Sequence, residues 1–169
     1  KVANYSFVDF NYNAATHTAT WQLQLNPQAD GLKGIEADKL MLTLEDTVTD
    51  ASGIMLDGEW SQGVSTQSGN GAAGGDFTFR LNVLPGNADQ SGTTDDVFGN
   101  DVVMVRNVQF TSAGDAGYDA LCDVDGSGTI FGDDVVFTRN RQFSGLPTAD
   151  PQSPASSNNT VNNWFTQSM

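Results

Sequence analysis

The chain has 169 residues, and its 21 acidic and 7 basic side chains give it a net charge of -14. This charge argues against a nucleic-acid binder, which needs clustered lysine and arginine, and against docking on an anionic membrane. No apolar run approaches the length of about 20 residues that spans a bilayer, and no signal-peptide pattern is present, so we expect a mature or trimmed chain.

The first half of the chain alternates apolar and polar residues, which is the period-2 pattern of half-buried strands. The pattern predicts strands over residues 5–10, Thr18–Leu25, residues 39–44 and Phe77–Val83, with a further strand ending at Trp60. The inward side of the last complete strand is expected to consist of Phe77, Phe79, Leu81 and Val83. Short strands separated by turns predict a β-sandwich over residues 1–84.

The sequence then repeats itself. Residues 98–110 align with residues 131–143 at an offset of 33, and nine of the thirteen positions are identical. This duplication predicts two similar helices. Their apolar faces are expected to contain Val102, Val105 and Phe110 in the first copy and Val135 and Phe143 in the second. Residues 85–147 form the predicted second domain, and residues 148–169 form a polar tail.

A loop rich in side-chain oxygens precedes the second helix. Its positions 1, 3, 5, 7 and 12 are Asp123, Asp125, Ser127, Thr129 and Asp134, and Gly128 stands at position 6. This order is that of an EF-hand loop, in which alternate residues offer hard oxygens to Ca²⁺. The apolar residue at position 8, Ile130, is expected to pair the two loops.

The first loop is less regular. Its candidate ligands are Asn87, Asp89, Ser91, Thr93 and Asp101, and three extra residues from Asp95 to Val97 precede the helix. Either Asp95 or Asp96 is expected to enter the ligand shell. Residues 85–147 carry ten acidic and three basic residues. We therefore expect two calcium ions, and we expect their binding to be coupled to folding.

The duplicated loop–helix units resemble type I dockerin modules, which consist of two calcium-binding repeats and bind cohesin domains. The resemblance covers residues 87–143 and implies calcium at the positions named above. Positions 10 and 11, where the family usually has Ser-Thr, hold Gly132-Asp133 and Gly99-Asn100. This departure argues against binding to an ordinary cellulosomal cohesin. Residues 48–58 look like a stretch of bacterial Ig-like domains. The combination of an Ig-like domain with a dockerin-like unit is typical of large secreted bacterial proteins, including those of planctomycetes.

The leading interpretation is a non-catalytic, extracellular calcium-binding module, secreted or on a bacterial cell surface. It presents two similar helices to a protein partner, either a cohesin-like domain or a second copy. The expected partner contacts are Arg106, Asn107, Arg139, Asn140 and Arg141.

Two other interpretations stay open. A self-assembling structural subunit, such as a filament or surface-layer homopolymer, could exchange its first strand or the tail that contains Trp164 and Phe165. An enzyme or sugar-binding domain could use Trp60 as a platform or an acid pair such as Asp50 and Asp57, although turn roles suit these acids better. The lone His17 is expected to be an ordinary surface or edge residue.

Overall fold

The computed structural model describes residues 5–90 and 96–151. This part of the chain is mainly β structure, with three two-stranded sheets and two helices of nine residues each. In chain order the elements are β1 (Tyr5–Asn13), β2 (Thr18–Leu25), β3 (Asp38–Leu44), β4 (Phe77–Val83), α1 (Gly99–Asn107), β5 (Thr111–Ser112), β6 (Thr129–Ile130) and α2 (Gly132–Asn140). The sheets pair β1 with β2, β3 with β4, and β5 with β6. A mainly β chain with two short helices is therefore confirmed.

Strands β1 and β2 form an antiparallel hairpin with one apolar face. Phe7 lies opposite Leu23, and Phe10 lies opposite Trp21, with the two ring centroids 5.3 Å apart. Phe7 and Phe10 are an odd number of residues apart, so that strict alternation would place them on opposite faces. An irregularity in the register directly after Phe7 inserts one residue and returns both rings to the same face. His17 lies exposed in the turn of this hairpin.

The segment between β3 and β4 differs from the prediction. No strand ends at Trp60, and the described residues between these strands contain only an isolated bridge between Thr49 and Met55. Seven glycines lie between residues 45 and 76 and disfavour a continuous strand there. The Trp60 ring packs instead on Phe77, with centroids 6.0 Å apart. Leu81, which was expected to face inward, is 41% exposed.

The described residues form two compact units. Residues 5–38, 83–90 and 96–147 make up one, and residues 39–82 and 148–151 make up the other. The hairpin thus belongs to the unit that contains the duplicated segment. The predicted boundary at residue 84 and the predicted sandwich over residues 1–84 stay predictions.

The duplicated segment has a small core between its two helices. Its buried members are Ala88, Val105, Cys122 and Ile130. The residue of the second copy that corresponds to Val105 is Thr138, which is also fully buried. The hydroxyl of Thr138 donates a hydrogen bond of 2.9 Å to the Asp134 carbonyl, so this polar group is satisfied within its own helix. Neither helix of the described chain has the length and apolarity needed to cross a bilayer.

The aromatic residues that follow the helices are not core residues, contrary to the prediction. Phe110 and Phe143 are 76% and 82% exposed. The helices end three residues earlier, at Asn107 and Asn140, so helical periodicity does not extend to these rings. Each ring instead makes an edge-to-face contact with the residue before the other helix. Phe143 contacts Phe98, and Phe110 contacts Phe131, both with centroids 6.0 Å apart.

Candidate metal centre

Three carboxylates of the second loop converge on one point. One oxygen from each of Asp123, Asp125 and Asp134 lies within 4.8 Å of the other two. Oxygens that lie about 2.4 Å from one calcium ion are at most about 4.8 Å apart, so these three are close enough to share one cation. Asp123 and Asp134 are 9% and 0% exposed. Carboxylates collected in such a poorly solvated place favour a counter-cation, and the donor set fits a metal ion that prefers oxygen ligands.

The loop backbone holds these side chains in place. The Ser127 N–H donates to Asp123 Oδ1 at 3.0 Å and to Asp125 Oδ1 at 2.9 Å. The Gly128 N–H donates to Asp123 Oδ2 at 2.8 Å. These bonds require the chain to coil around the carboxylates, and Gly128 permits this with a left-handed φ of 84°.

The other two predicted ligands of this loop also lie together. The Ser127 hydroxyl donates to the Thr129 carbonyl at 3.0 Å. Two neighbouring oxygens in the shell of one calcium ion are separated by about this distance when each lies about 2.4 Å from the ion. All five predicted ligand residues of the second loop are thus connected through the hydrogen bonds of one turn.

Asp134 closes the loop from the first turn of α2. Its Oδ2 accepts the Phe131 N–H at 2.8 Å, and its Oδ1 accepts the N–H groups of Val124 at 2.8 Å and Asp125 at 3.4 Å. Burial raises the pKa of the Asp134 carboxyl, and these hydrogen bonds offset the rise only in part. The carboxylate therefore sits in a place where a cation would lower its energy.

A residue that the sequence did not indicate also contacts this centre. The Tyr118 hydroxyl donates a hydrogen bond of 2.6 Å to Asp123 Oδ2. That bond, together with burial and nearby carboxylates, raises the pKa of Tyr118 to about 12. Burial by itself would raise the pKa of the Asp123 carboxyl. Hydrogen bonds from Tyr118, Gly128 and Ser127 outweigh burial and hold that pKa below its usual range.

The first loop reproduces part of this arrangement. Asp101 is fully buried, and its Oδ1 accepts the N–H groups of Ala88 at 2.9 Å and Asp89 at 3.1 Å, while its Oδ2 accepts that of Phe98 at 2.7 Å. Asp134 accepts three hydrogen bonds from the equivalent residues of the second loop. Positions 2, 3 and 12 of the two loops therefore correspond. The side-chain amide of Asn100 donates to Asp89 Oδ2.

The predicted ligands Ser91, Thr93 and Asp95 lie outside the described residues. Asp96 lies within them and forms an isolated bridge with Gly145. For the first loop, the structure therefore describes Asn87, Asp89 and Asp101 as a partial set of candidate ligands.

The two loops are not paired through Ile130, contrary to expectation. The Ile130 carbonyl accepts the Phe110 N–H at 2.7 Å, and Ile130 lies opposite Thr111 in the sheet of β5 and β6. In the other copy the Val97 carbonyl accepts the Phe143 N–H, also at 2.7 Å. Each position-8 residue therefore pairs with the segment that follows the helix of the other repeat. The reason is that α1 and α2 pack against each other, so that the end of each helix lies beside the loop of the other.

The residues expected to contact a partner fall into two groups. Arg106, Asn107, Arg139 and Asn140 are exposed. The Arg141 side chain is only 11% exposed and makes a bidentate ion pair with Asp30, at 2.6 Å and 3.2 Å. Arg141 thus makes an internal contact rather than lying free on the helix surface.

The ion pair of Arg141 perturbs its acidic partner. Burial would raise the pKa of the Asp30 carboxyl, but hydrogen bonds from Arg141 and from the Leu32 N–H, with a smaller effect of Asn140, hold it below its usual range. The Arg141 guanidinium also donates to Gln28 Oε1 at 2.6 Å and to the Phe137 carbonyl at 2.8 Å.

Two acids of the other compact unit accept hydrogen bonds from backbone N–H groups in its turns. Asp50 Oδ1 accepts the N–H groups of Ser52 and Ile54 at 2.8 Å and 2.9 Å. Asp57 accepts those of Asn70 and Gly71 at 2.7 Å and 2.9 Å. Hydrogen bonds of this kind are what an Asp side chain makes when it stabilises a turn, as expected from the sequence.

Comparison of the chain with protein-family models, with curated proteins and with solved structures finds no match.

Proposed function

We propose that residues 85–147 form a calcium-binding, non-catalytic interaction module similar to a dockerin, and that it belongs to a secreted or cell-surface bacterial protein. The observation that carries the proposal is the convergence of Asp123, Asp125 and Asp134. Calcium suits this site because the donors are hard oxygens from carboxylates, a hydroxyl and a carbonyl, and neither His nor Cys contributes. The first loop binds a second ion through Asn87, Asp89 and Asp101.

Calcium would supply structural stabilisation at this site. The two fully buried carboxylates of the loops, Asp101 and Asp134, each tie the start of their loop to the start of the helix that follows it. A cation on these groups offsets the repulsion among the carboxylates of each loop and links metal binding to folding. The Ig-like character of residues 1–84 belongs to the same proposal, in which that segment acts as a spacer.

The partner surface consists of the outer faces of the two helices. Val103 and Val136 are equivalent residues of the two copies and are 54% and 53% exposed. Each is followed three residues later by an exposed arginine, Arg106 in α1 and Arg139 in α2. The near-equal exposure of the two valines supports two similar docking faces, each with an apolar centre and a basic edge.

The experiment is a calcium titration of the full chain after removal of metal with EDTA. For an affinity of about 10⁻⁴ M, about 10 mM calcium raises the unfolding free energy by about 2.7 kcal/mol for each site. Calorimetry and thermal unfolding measure the affinity and the stabilisation. Asp125→Asn should weaken binding, whereas Glu45→Gln, in the other compact unit, should not. No heat of binding and no change in melting temperature would refute the proposal.

A second candidate function is self-assembly into a structural polymer. The observation that favours it is the hairpin face, where Phe7, Phe10 and Tyr12 are 42%, 47% and 55% exposed. A two-stranded hairpin with exposed rings can add strands from a neighbour at its edges. Light scattering in calcium separates the candidates, because a module that docks on another protein stays monomeric and one that docks on a second copy stops at a small oligomer, whereas strand addition gives polymers of increasing size. The tail with Trp164 and Phe165 lies outside the described residues.

A further inference from the structure

The two oxygens of the Asp123 carboxylate have different surroundings. Oδ2 accepts two hydrogen bonds, from the Gly128 N–H at 2.8 Å and from the Tyr118 hydroxyl at 2.6 Å. Oδ1 accepts the Ser127 N–H at 3.0 Å. Three donors thus hold the Asp123 carboxylate, and two of them hold Oδ2. Tyr118 therefore restricts the rotation of this ligand before any metal arrives.

The Tyr118 ring is itself held in place. It packs against the buried cluster of Ala88, Val105, Cys122 and Ile130. The Tyr118 N–H also donates to the Asp115 carbonyl at 3.1 Å. A donor on a fixed ring lowers the entropy that the Asp123 side chain loses when it binds a cation.

The first repeat has no such tyrosine. The residue five positions before its loop is Asn82, where the second repeat has Tyr118, and the loop begins with the neutral Asn87 in place of Asp123. Its position-3 carboxylate, Asp89, accepts a hydrogen bond from the Asn100 amide. The two repeats thus differ in the charge of the first ligand and in its support.

We propose that Tyr118 is a positioning residue for Asp123 and that it makes the second loop the tighter metal site, which fills before the first. This inference rests on the proposed calcium function. Loss of a hydrogen-bond donor that orients a metal ligand typically lowers metal affinity by about 10-fold to 100-fold.

The test follows the amide signals of Gly128 and Ala88 by two-dimensional NMR as calcium is added to the full chain. Gly128 reports on the second loop and Ala88 on the first, since these N–H groups contact Asp123 and Asp101. In the wild type, Gly128 should saturate at a lower calcium concentration than Ala88. Tyr118→Phe should raise the calcium concentration at the midpoint of the Gly128 transition by about tenfold and leave the midpoint of the Ala88 transition unchanged. The matched control is Tyr12→Phe, in the exposed part of β1, which should change neither.

A second pair of variants separates positioning from simple packing. Tyr118→Phe is introduced into the background of Asp123→Ala, which has no acceptor for the Tyr118 hydroxyl and whose calcium affinity is already reduced. If Tyr118 acts through the carboxylate, removing its hydroxyl in that background should change the calcium affinity of the second loop by less than about twofold. An equal loss in both backgrounds, or no loss in the wild-type background, would overturn the inference while leaving calcium binding intact. Absence of any calcium-dependent shift in the wild type would overturn the proposed function and this inference together.

Discussion

Replacing Arg141 with Met should destabilise the compact unit that contains the duplicated repeats. Arg141 follows the last residue of α2, yet its guanidinium contacts Asp30 and Gln28, more than a hundred residues away in the sequence. The Met side chain keeps much of the aliphatic length and removes the charge and all of the donors. The acceptors on Asp30, Gln28 and Phe137 would then lose these partners.

The magnitude follows from the degree of burial. Removing one partner of an exposed ion pair costs up to about 1 kcal/mol, and removing one partner of a fully buried pair costs about 3–5 kcal/mol. The side chains of Arg141 and Asp30 are 11% and 19% exposed, so this pair lies between the two cases. We expect the variant to lower the unfolding free energy by about 2 kcal/mol.

Urea unfolding followed by far-UV circular dichroism measures this loss. With a denaturant slope of about 2 kcal/mol/M, the midpoint should fall by about 1 M. Arg139→Met is the matched control, because Arg139 is exposed in the last turn of the same helix. It should change the unfolding free energy by less than about 0.5 kcal/mol. An unchanged midpoint for the Arg141 variant, or equal shifts for both variants, would refute the assignment of Arg141 to an internal contact.

Two further predictions concern pH and the loop backbone. The pKa of Asp30 is lowered in the folded chain, so its contribution to stability is complete above its unfolded pKa of about 3.9 and disappears as the pH falls through the folded value. Urea unfolding at a series of pH values should therefore show a steeper loss between about pH 5 and pH 2 for the wild type than for Asp30→Asn, and parallel curves would contradict this. Gly128 has a φ of 84°, and no neighbouring atom lies within 4 Å of the place that an alanine Cβ would occupy, so Gly128→Ala should cost about 1–2 kcal/mol through backbone strain alone. Gly117→Ala, where a Cβ would meet Thr111 at 3.5 Å, should cost less than about 0.5 kcal/mol, and equal losses in the two variants would argue against strain at Gly128.

The local patterns of the sequence predicted the local structure well. Strands β2 and β4 cover the residues whose alternation predicts them, and the duplicated segment forms two helices of equal length at equivalent positions. These features depend on neighbours in the chain, so periodicity and turn residues suffice to locate them. The converging carboxylates of Asp123, Asp125 and Asp134 were also predictable, because one twelve-residue loop contains all three.

The predictions were wrong at the ends of helices and strands, where the apolar periodicity stops. The rings of Phe110 and Phe143 lie beyond the last helical residues, and their φ angles of 72° and 69° are left-handed, so the helices do not continue through them. Trp60 was expected to end a strand, but the glycine-rich chain around it forms turns. In both cases the prediction continued a helix or strand into residues that do not form one.

By itself, the sequence determined which residues offer candidate ligand oxygens, where the repeats begin, and which strands alternate. Only the tertiary structure decided that Arg141 contacts Asp30, that Tyr118 donates to Asp123, and that each repeat pairs with the segment after the other helix. For Arg141 and for the paired segments, the physical reason is distance along the chain. Tyr118 lies only five residues before Asp123, but the chain between them is an irregular turn with no periodic pattern. A candidate ligand loop is a local arrangement, and the spacing of its residues is visible in the sequence. Residues that packing brings together produce no periodic pattern in either segment. The net charge of -14 illustrates the same division. The sequence shows how many carboxylates are present, and the fold shows which of them share a site.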